Sequence, residues 1–186
     1  SYVFGGQGLT RSGSVAVANW EEAAGANNAA RAADGASTSG STVDFTGLPS
    51  WVTAMDVMLH NVSFGGTSEL GVRLGDGTTF YDTGYDANSV NQAGSASAYS
   101  TTSFIMDGSG STTEHFGIFR LVQLRNDDGT DGDLWACNHI LKVSDGAGLR
   151  HGAGTFSVAT GSAVTSVRVI CLSDSFDQGV ISLRYS

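Results

Sequence analysis

Carboxylates and tyrosines are the residues of this chain whose spacing raises the question of chemistry. In "LGDGTTFYDTGYDANS", residues 74 to 89, Asp82 and Asp86 bracket Tyr85, and Tyr81 precedes them. Asp56 and Glu69 fall on neighbouring strand-like segments. Two carboxyls across a groove, one of them in an apolar pocket, would make a glycoside hydrolase, but few carboxylates here have apolar surroundings. In "NDDGTDGD", Asp127, Asp128, Asp131 and Asp133 crowd one loop. A calcium loop of the EF-hand kind needs a Glu at its twelfth position. Counted from Asp127 that position is Asn138, so a solvated acidic hairpin tip is the better reading. His60, His115, His139 and His151 are scattered singly, which suits strand faces and turns rather than a metal. No serine-hydrolase elbow, phosphate-binding loop, zinc-protease pair or dinucleotide fingerprint occurs. The expectation is a protein with no catalytic residues, no metal and no cofactor.

Composition explains what must hold these residues. A chain of 186 residues with 26 glycines and one proline, Pro49, fits a turn-rich β protein. That length suffices for one core and a short appendage. No apolar run approaches the ~18 residues of a membrane span, so no membrane insertion is expected. The first residues, "SYVFGGQGLTRSGS", lack the charged start and continuous apolar stretch of a secretory signal. "NVS" at 61–63 matches a glycosylation sequon, a tripeptide common by chance. The net charge of -9 repels phosphate backbones, so nucleic acid is not an expected partner. Cys137 and Cys171 sit within strand-like segments, too far apart for a metal knuckle. They are either buried thiols or one disulfide, and thiols that pack as small hydrophobes are preferred.

The chain divides at about residue 42. Residues 1–42 are rich in Ala, Gly, Asn and Ser, with a short Ala-rich helix conceivable over 20–33 before Asp34-Gly35. Such a segment cannot build its own core. It reads either as a passive leader or as an attachment arm that buries Tyr2, Phe4 and Trp20 on a neighbour. From Val43 the period changes to two. Strands are expected at about 43–47, 51–62, 68–74, 79–82, 101–107, 114–126, 133–143, 153–159, 164–173 and 179–185. Asp-Gly turns at 34, 76, 107, 128, 131 and 145 punctuate them. Residues 43–186 are therefore expected to form an all-β, antiparallel sandwich or jelly roll. One large hairpin should surround "RNDDGTDGD", and Phe116, Ile118, Leu124, Val167, Val169, Ile181 and Leu183 should face inward. Trp51, Met55, Val57 and Leu59 share one face, as do Ile181, Leu183 and Tyr185.

The segment "ELGVRLGDGTTFYDTGYDANS" and the closing "SVRVICLSDSFDQGVISLRYS" resemble a family of small bacteriophage tail and fibre-associated virion proteins. The shared features are an LxVxLG strand, a Gly-rich turn, a Thr-Gly-Tyr step and a final Phe-Asp-x-Gly-x-Ile-x-Leu-x-Tyr strand, over about residues 43–186. The resemblance implies a non-enzymatic virion component at the virion surface, assembled in the host bacterial cytoplasm and commonly a homotrimer. It hands over no catalytic residues. A tail-fibre or tail-tip module attaching to a host glycan or protein is the leading expectation, with a capsid decoration or cement protein as the alternative. A carbohydrate-active enzyme comes a distant third. Tyr81, Asp82, Tyr85 and Asp86 are the candidate receptor contacts, against the plainer reading that Gly84 permits a bend and Tyr85 packs its ring with its hydroxyl at the surface.

Overall fold

Eleven segments among the described residues are strands, most of them marked by alternation of large apolar and polar side chains, because a pleated segment turns successive residues to opposite faces. The computed structural model describes residues 40–92, 97–111, 113–124, 133–144, 148–158 and 162–186. In chain order the strands are β1 (Thr42–Thr46), β2 (Ala54–Phe64), β3 (Ser68–Gly75), β4 (Tyr85–Asn91), β5 (Ser97–Ser100) and β6 (Phe104–Ser109). They continue as β7 (His115–Leu124), β8 (Leu134–Val143), β9 (Leu149–Ser157), β10 (Ser166–Cys171) and β11 (Phe176–Tyr185). A four-stranded sheet, β1-β10-β3-β6, packs on a seven-stranded sheet, β11-β2-β7-β8-β9-β4-β5. Every pairing is antiparallel. The protein is an antiparallel β-sandwich, as the alternation and the Asp-Gly turns led one to expect. Tyr2, Phe4, Trp20 and the conceivable helix at 20–33 lie outside the described residues, as does most of the acidic loop 127–133. Gly40 and Ser41 already belong to the sandwich: their carbonyls accept the N–H groups of Phe176 and Cys171. The fold thus begins ahead of Val43.

Between the sheets lie Phe45, Leu70, Val72, Leu74, Phe104, Met106, Val167 and Val169 from the smaller sheet. Facing them are Met55, Val57, Leu59, Phe119, Leu121, Trp135, Leu141, Phe156, Ile181 and Leu183 from the larger one. Val167, Val169, Ile181 and Leu183 thus face inward as expected. Phe116, Ile118 and Leu124 do not, and this is a correction. In β7 the buried set is His115, Phe119 and Leu121, one residue out of step with the expected face. "HFGIFRLVQL" is apolar on both faces, so counting hydrophobic residues cannot choose between them. Arg120 marks the solvent side. Trp51 precedes β2 and is exposed, packing at 6.0 Å on Tyr185.

The long hairpin is as expected, with β7 and β8 in continuous register from His115 opposite Val143 to Leu124 opposite Leu134. Two strands went unforeseen. The expected strand at 79–82 is a single bridge between Gly75 and Phe80, and the chain resumes pairing only at β4. There Tyr85, Ala87, Ser89 and Asn91 point inward while Val90 points out. The inward set is small or polar, so no apolar alternation announces it. β5 behaves alike, with Ala98 and Ser100 inward and Tyr99 outward. Neighbouring strands crowd each other closely here. A Cβ on Gly152 would fall 2.5 Å from Cε1 of His139, and one on Gly154 would fall 2.5 Å from the Cβ of Ala87.

Both cysteines are buried free thiols on different sheets, Cys137 on β8 and Cys171 on β10. Burial pushes the Cys137 thiol far above its ordinary range. Cys171 donates to Ser68 Oγ at 3.1 Å.

Candidate interaction surface

The turn at 74–86 is built on one aspartate. Asp76 Oδ1 accepts from the Thr78 N–H at 2.8 Å, the Thr79 N–H at 2.8 Å and the Thr78 hydroxyl at 2.7 Å. This side-chain turn, with Gly77 at φ 93°, closes the loop as the Asp-Gly step suggests. Those donors, the Thr79 N–H foremost, hold the Asp76 carboxyl below the usual carboxylate range. Phe80 lies under the Arg168 guanidinium, 4.1 Å from the ring centre. Arg168 in turn forks onto Asp44 with two 2.7 Å hydrogen bonds.

Behind the turn the aromatic rings form a stack. Tyr85 lies on Phe156 at 4.4 Å, Tyr81 lies on Phe156 at 5.4 Å, and Tyr85 meets Phe104 edge-on at 5.1 Å. Tyr85 is buried, and its hydroxyl accepts the Leu74 N–H at 2.7 Å inside the protein. Burial raises its phenol well above the ordinary value. The reading of Tyr85 as a receptor contact, and of its hydroxyl as surface-exposed, is therefore corrected: the residue is a core pillar. Gly84, at φ 86°, supplies the bend that admits it. Tyr81 is half-buried, with its phenol raised by burial and by the nearby Asp76 charge. Asp82, Thr83 and Asp86 are exposed. Of the four expected contacts, Tyr81, Asp82 and Asp86 remain at or near the surface.

The carboxylate pair Asp56 and Glu69 does not assemble. Asp56 lies on the outer side of the seven-stranded sheet and Glu69 on the outer side of the four-stranded one. Two layers ~10 Å apart separate them, so no substrate bond fits between. His60 and His151 are exposed, His115 and His139 buried. No group of three or more His, Cys, Asp or Glu able to hold a metal occurs among the described residues.

One nucleophile-and-base contact exists that sequence reading missed, since β4 itself was missed. Ser89 Oγ lies 3.0 Å from His139 Nε2. Both are buried, and the His139 ring packs on Phe119 at 4.6 Å. With Ser89 wholly closed to solvent no substrate reaches it, and the pair is a satisfied polar contact in the core. It has a consequence for stability. Burial foremost, and then the nearby His151, lower the His139 pKa from 6.5 to about 4. Below pH 6.5 the unfolded chain takes up a proton that the folded chain refuses until about pH 4. Stability is therefore full above pH 6.5 and falls as pH drops towards 4, by about 3 kcal/mol at the lower end. Urea midpoints measured across that range should fall accordingly, and more gently for His139→Gln. An equal fall in that variant would remove His139 as the cause.

The outer side of the seven-stranded sheet carries the most unusual surface. Register pairs Val90 with His151, His151 with Ile140, Ile140 with Ile118, Ile118 with Met58 and Met58 with Ser182. This row crosses six strands. Beside it runs a polar row: Tyr99, Asn88, Ala153, Asn138, Arg120, Asp56 and Arg184. Beyond that, Val122 and Leu124 restore apolar character. Ile140 is 51% exposed, Leu124 47% and Tyr99 67%, whereas outward strand positions ordinarily carry polar residues. An open depression of about 200 Å³ lies at one end, among Asp56, Arg120, Arg184 and Tyr185. Arg120 Nε stands 3.7 Å from the Asp56 carboxylate there. Its volume is below the roughly 300 Å³ of ordinary small-molecule pockets.

No family model matches the sequence, and a search of curated proteins finds no match.

Proposed function

We propose that this chain is a non-catalytic component of a bacteriophage virion, of tail-fibre or tail-tip type, working as a homo-oligomer, most simply a trimer. In this reading residues 1–42 attach it to other virion proteins, and the tip around Tyr81 and Asp82 meets a host-surface glycan or protein. One observation carries it. A polar, exposed tip at 82–83 is held on a stacked base of Tyr81, Phe156 and Tyr85 and an Asp76-centred turn. A rigidly presented tip loses little entropy on binding. The free buried thiols accord with assembly in a reducing cytoplasm, and the resemblance over residues 43–186 accords with a phage source. Purified full-length chain should compete with virions for adsorption to host cells. The double variant Tyr81→Ala with Asp82→Ala, folded by circular dichroism, should compete poorly. Absence of competition by the wild-type chain, or undiminished competition by the variant, removes this reading.

A further inference from the structure

We infer that the outer face of the seven-stranded sheet, centred on Ile118 and Ile140, is the surface on which copies of this chain meet. The inference rests on the homo-oligomer reading and gives it a location. Seven strands ~4.8 Å apart, each with about four outward residues ~6.8 Å apart, make a face of roughly 600–800 Å². A stable interface buries ~800 Å² per partner, an extent this face reaches when nearly all of it is covered. Its centre has the composition of an interface core: Met58, Ile118 and Ile140, flanked by Phe116, which packs edge-on to His60 at 5.5 Å, with Val122 beyond the polar row. Ile140 and Val122 are exposed there and Met58, Ile118 and Phe116 partly so, apolar side chains that association would cover.

Charge selects the partner. Across this face Arg120, Lys142 and Arg184 stand with Asp56 and Asp86, three cations to two carboxylates. The whole chain has 9 cationic against 18 acidic residues. The face is therefore within one charge of balance while the chain is strongly negative. A strongly basic or strongly acidic partner would select a face of strong opposite charge, and this one has none. Copies that turn this same mixed face towards a shared axis meet little net repulsion and little unpaired excess of charge. The polar row through Asn138, Arg120 and Asp56 gives the apolar rows on either side a fixed registry, since a shift would set charge against aliphatic surface.

Sedimentation of the full chain over a concentration series tests this. The wild-type chain should sediment as a multiple of 19.1 kDa. Ile140→Lys should weaken that association by about tenfold or more, the size of one lost aliphatic contact. Ile140→Thr keeps the β-branch, guards against loss of folding, and should weaken it by less. Thr46→Arg, on the edge strand of the other sheet, should leave it unchanged. An oligomer that both Ile140 variants preserve overturns the assignment of this face while leaving the oligomer intact. A wild-type chain that stays monomeric throughout overturns the homo-oligomer reading as well.

Discussion

Replacing Phe119 by alanine should cost about 3–5 kcal/mol of folding stability, the range for emptying a closed aromatic site. Phe119 is wholly buried, and in register its neighbours are Val57 on β2 and His139 on β8. Its ring also covers His139 at 4.6 Å. Phe116, on the same strand, points outward and touches the His60 ring. Phe116→Ala should cost about 1 kcal/mol in the isolated chain, through lost contact and β-propensity alone. Urea unfolding of the two variants side by side measures the difference. If Phe116→Ala proves the costlier, β7 is turned over and the inward face lies one residue away.

Gly179→Ala should destabilise the fold by about 2–4 kcal/mol, through positive-φ strain and a backbone collision together. β11 pairs with β2 through two irregularities, between Phe176 and Gln178 and between Gln178 and Val180. On β2 the register with β7 also shifts between Leu59 and Val62. At this bulge Gly179 has φ 100° and Asn61 φ 57°, the one positive φ outside glycine among the described residues. A Cβ on Gly179 would sit 2.5 Å from Val62 Cα and inside contact distance of the Asn61 carbonyl oxygen. Neither is a side chain that can swing away. Gly47 supplies the control: its φ is 74°, yet a Cβ there meets nothing within 4 Å, so Gly47→Ala should cost about 1 kcal/mol of conformational strain only. Equal losses of thermal stability in the two variants would show that the bulge packs less tightly than described.

Where one face of a strand was clearly apolar, the sequence was legible. Met55, Val57 and Leu59 on β2, Val167 and Val169 on β10, and Ile181 and Leu183 on β11 all point inward as their alternation requires. Asp76-Gly77 likewise declared its turn. Legibility failed for two physical reasons. β4 and β5 line the interior with Ala87, Ser89 and Ala98, and small residues leave no hydrophobic signal. β7 fails in the opposite way, because both of its faces are apolar. A strand caught between a core and a partner has that composition, and the outward set of β7 is the set proposed above as a contact. Of the site, the turn and the exposed Asp82 and Asp86 could be read in advance. The burial of Tyr85 could not, since it depends on Phe156 and Phe104 arriving from distant strands.

The claim that this chain is a virion tail component is tested most directly by locating it in purified particles. Virions separated into heads and tails, then probed by quantitative mass spectrometry, should show the chain with the tails, in a small fixed copy number divisible by three. Its absence from particles, or its recovery with heads in proportion to the capsid protein, would contradict that claim.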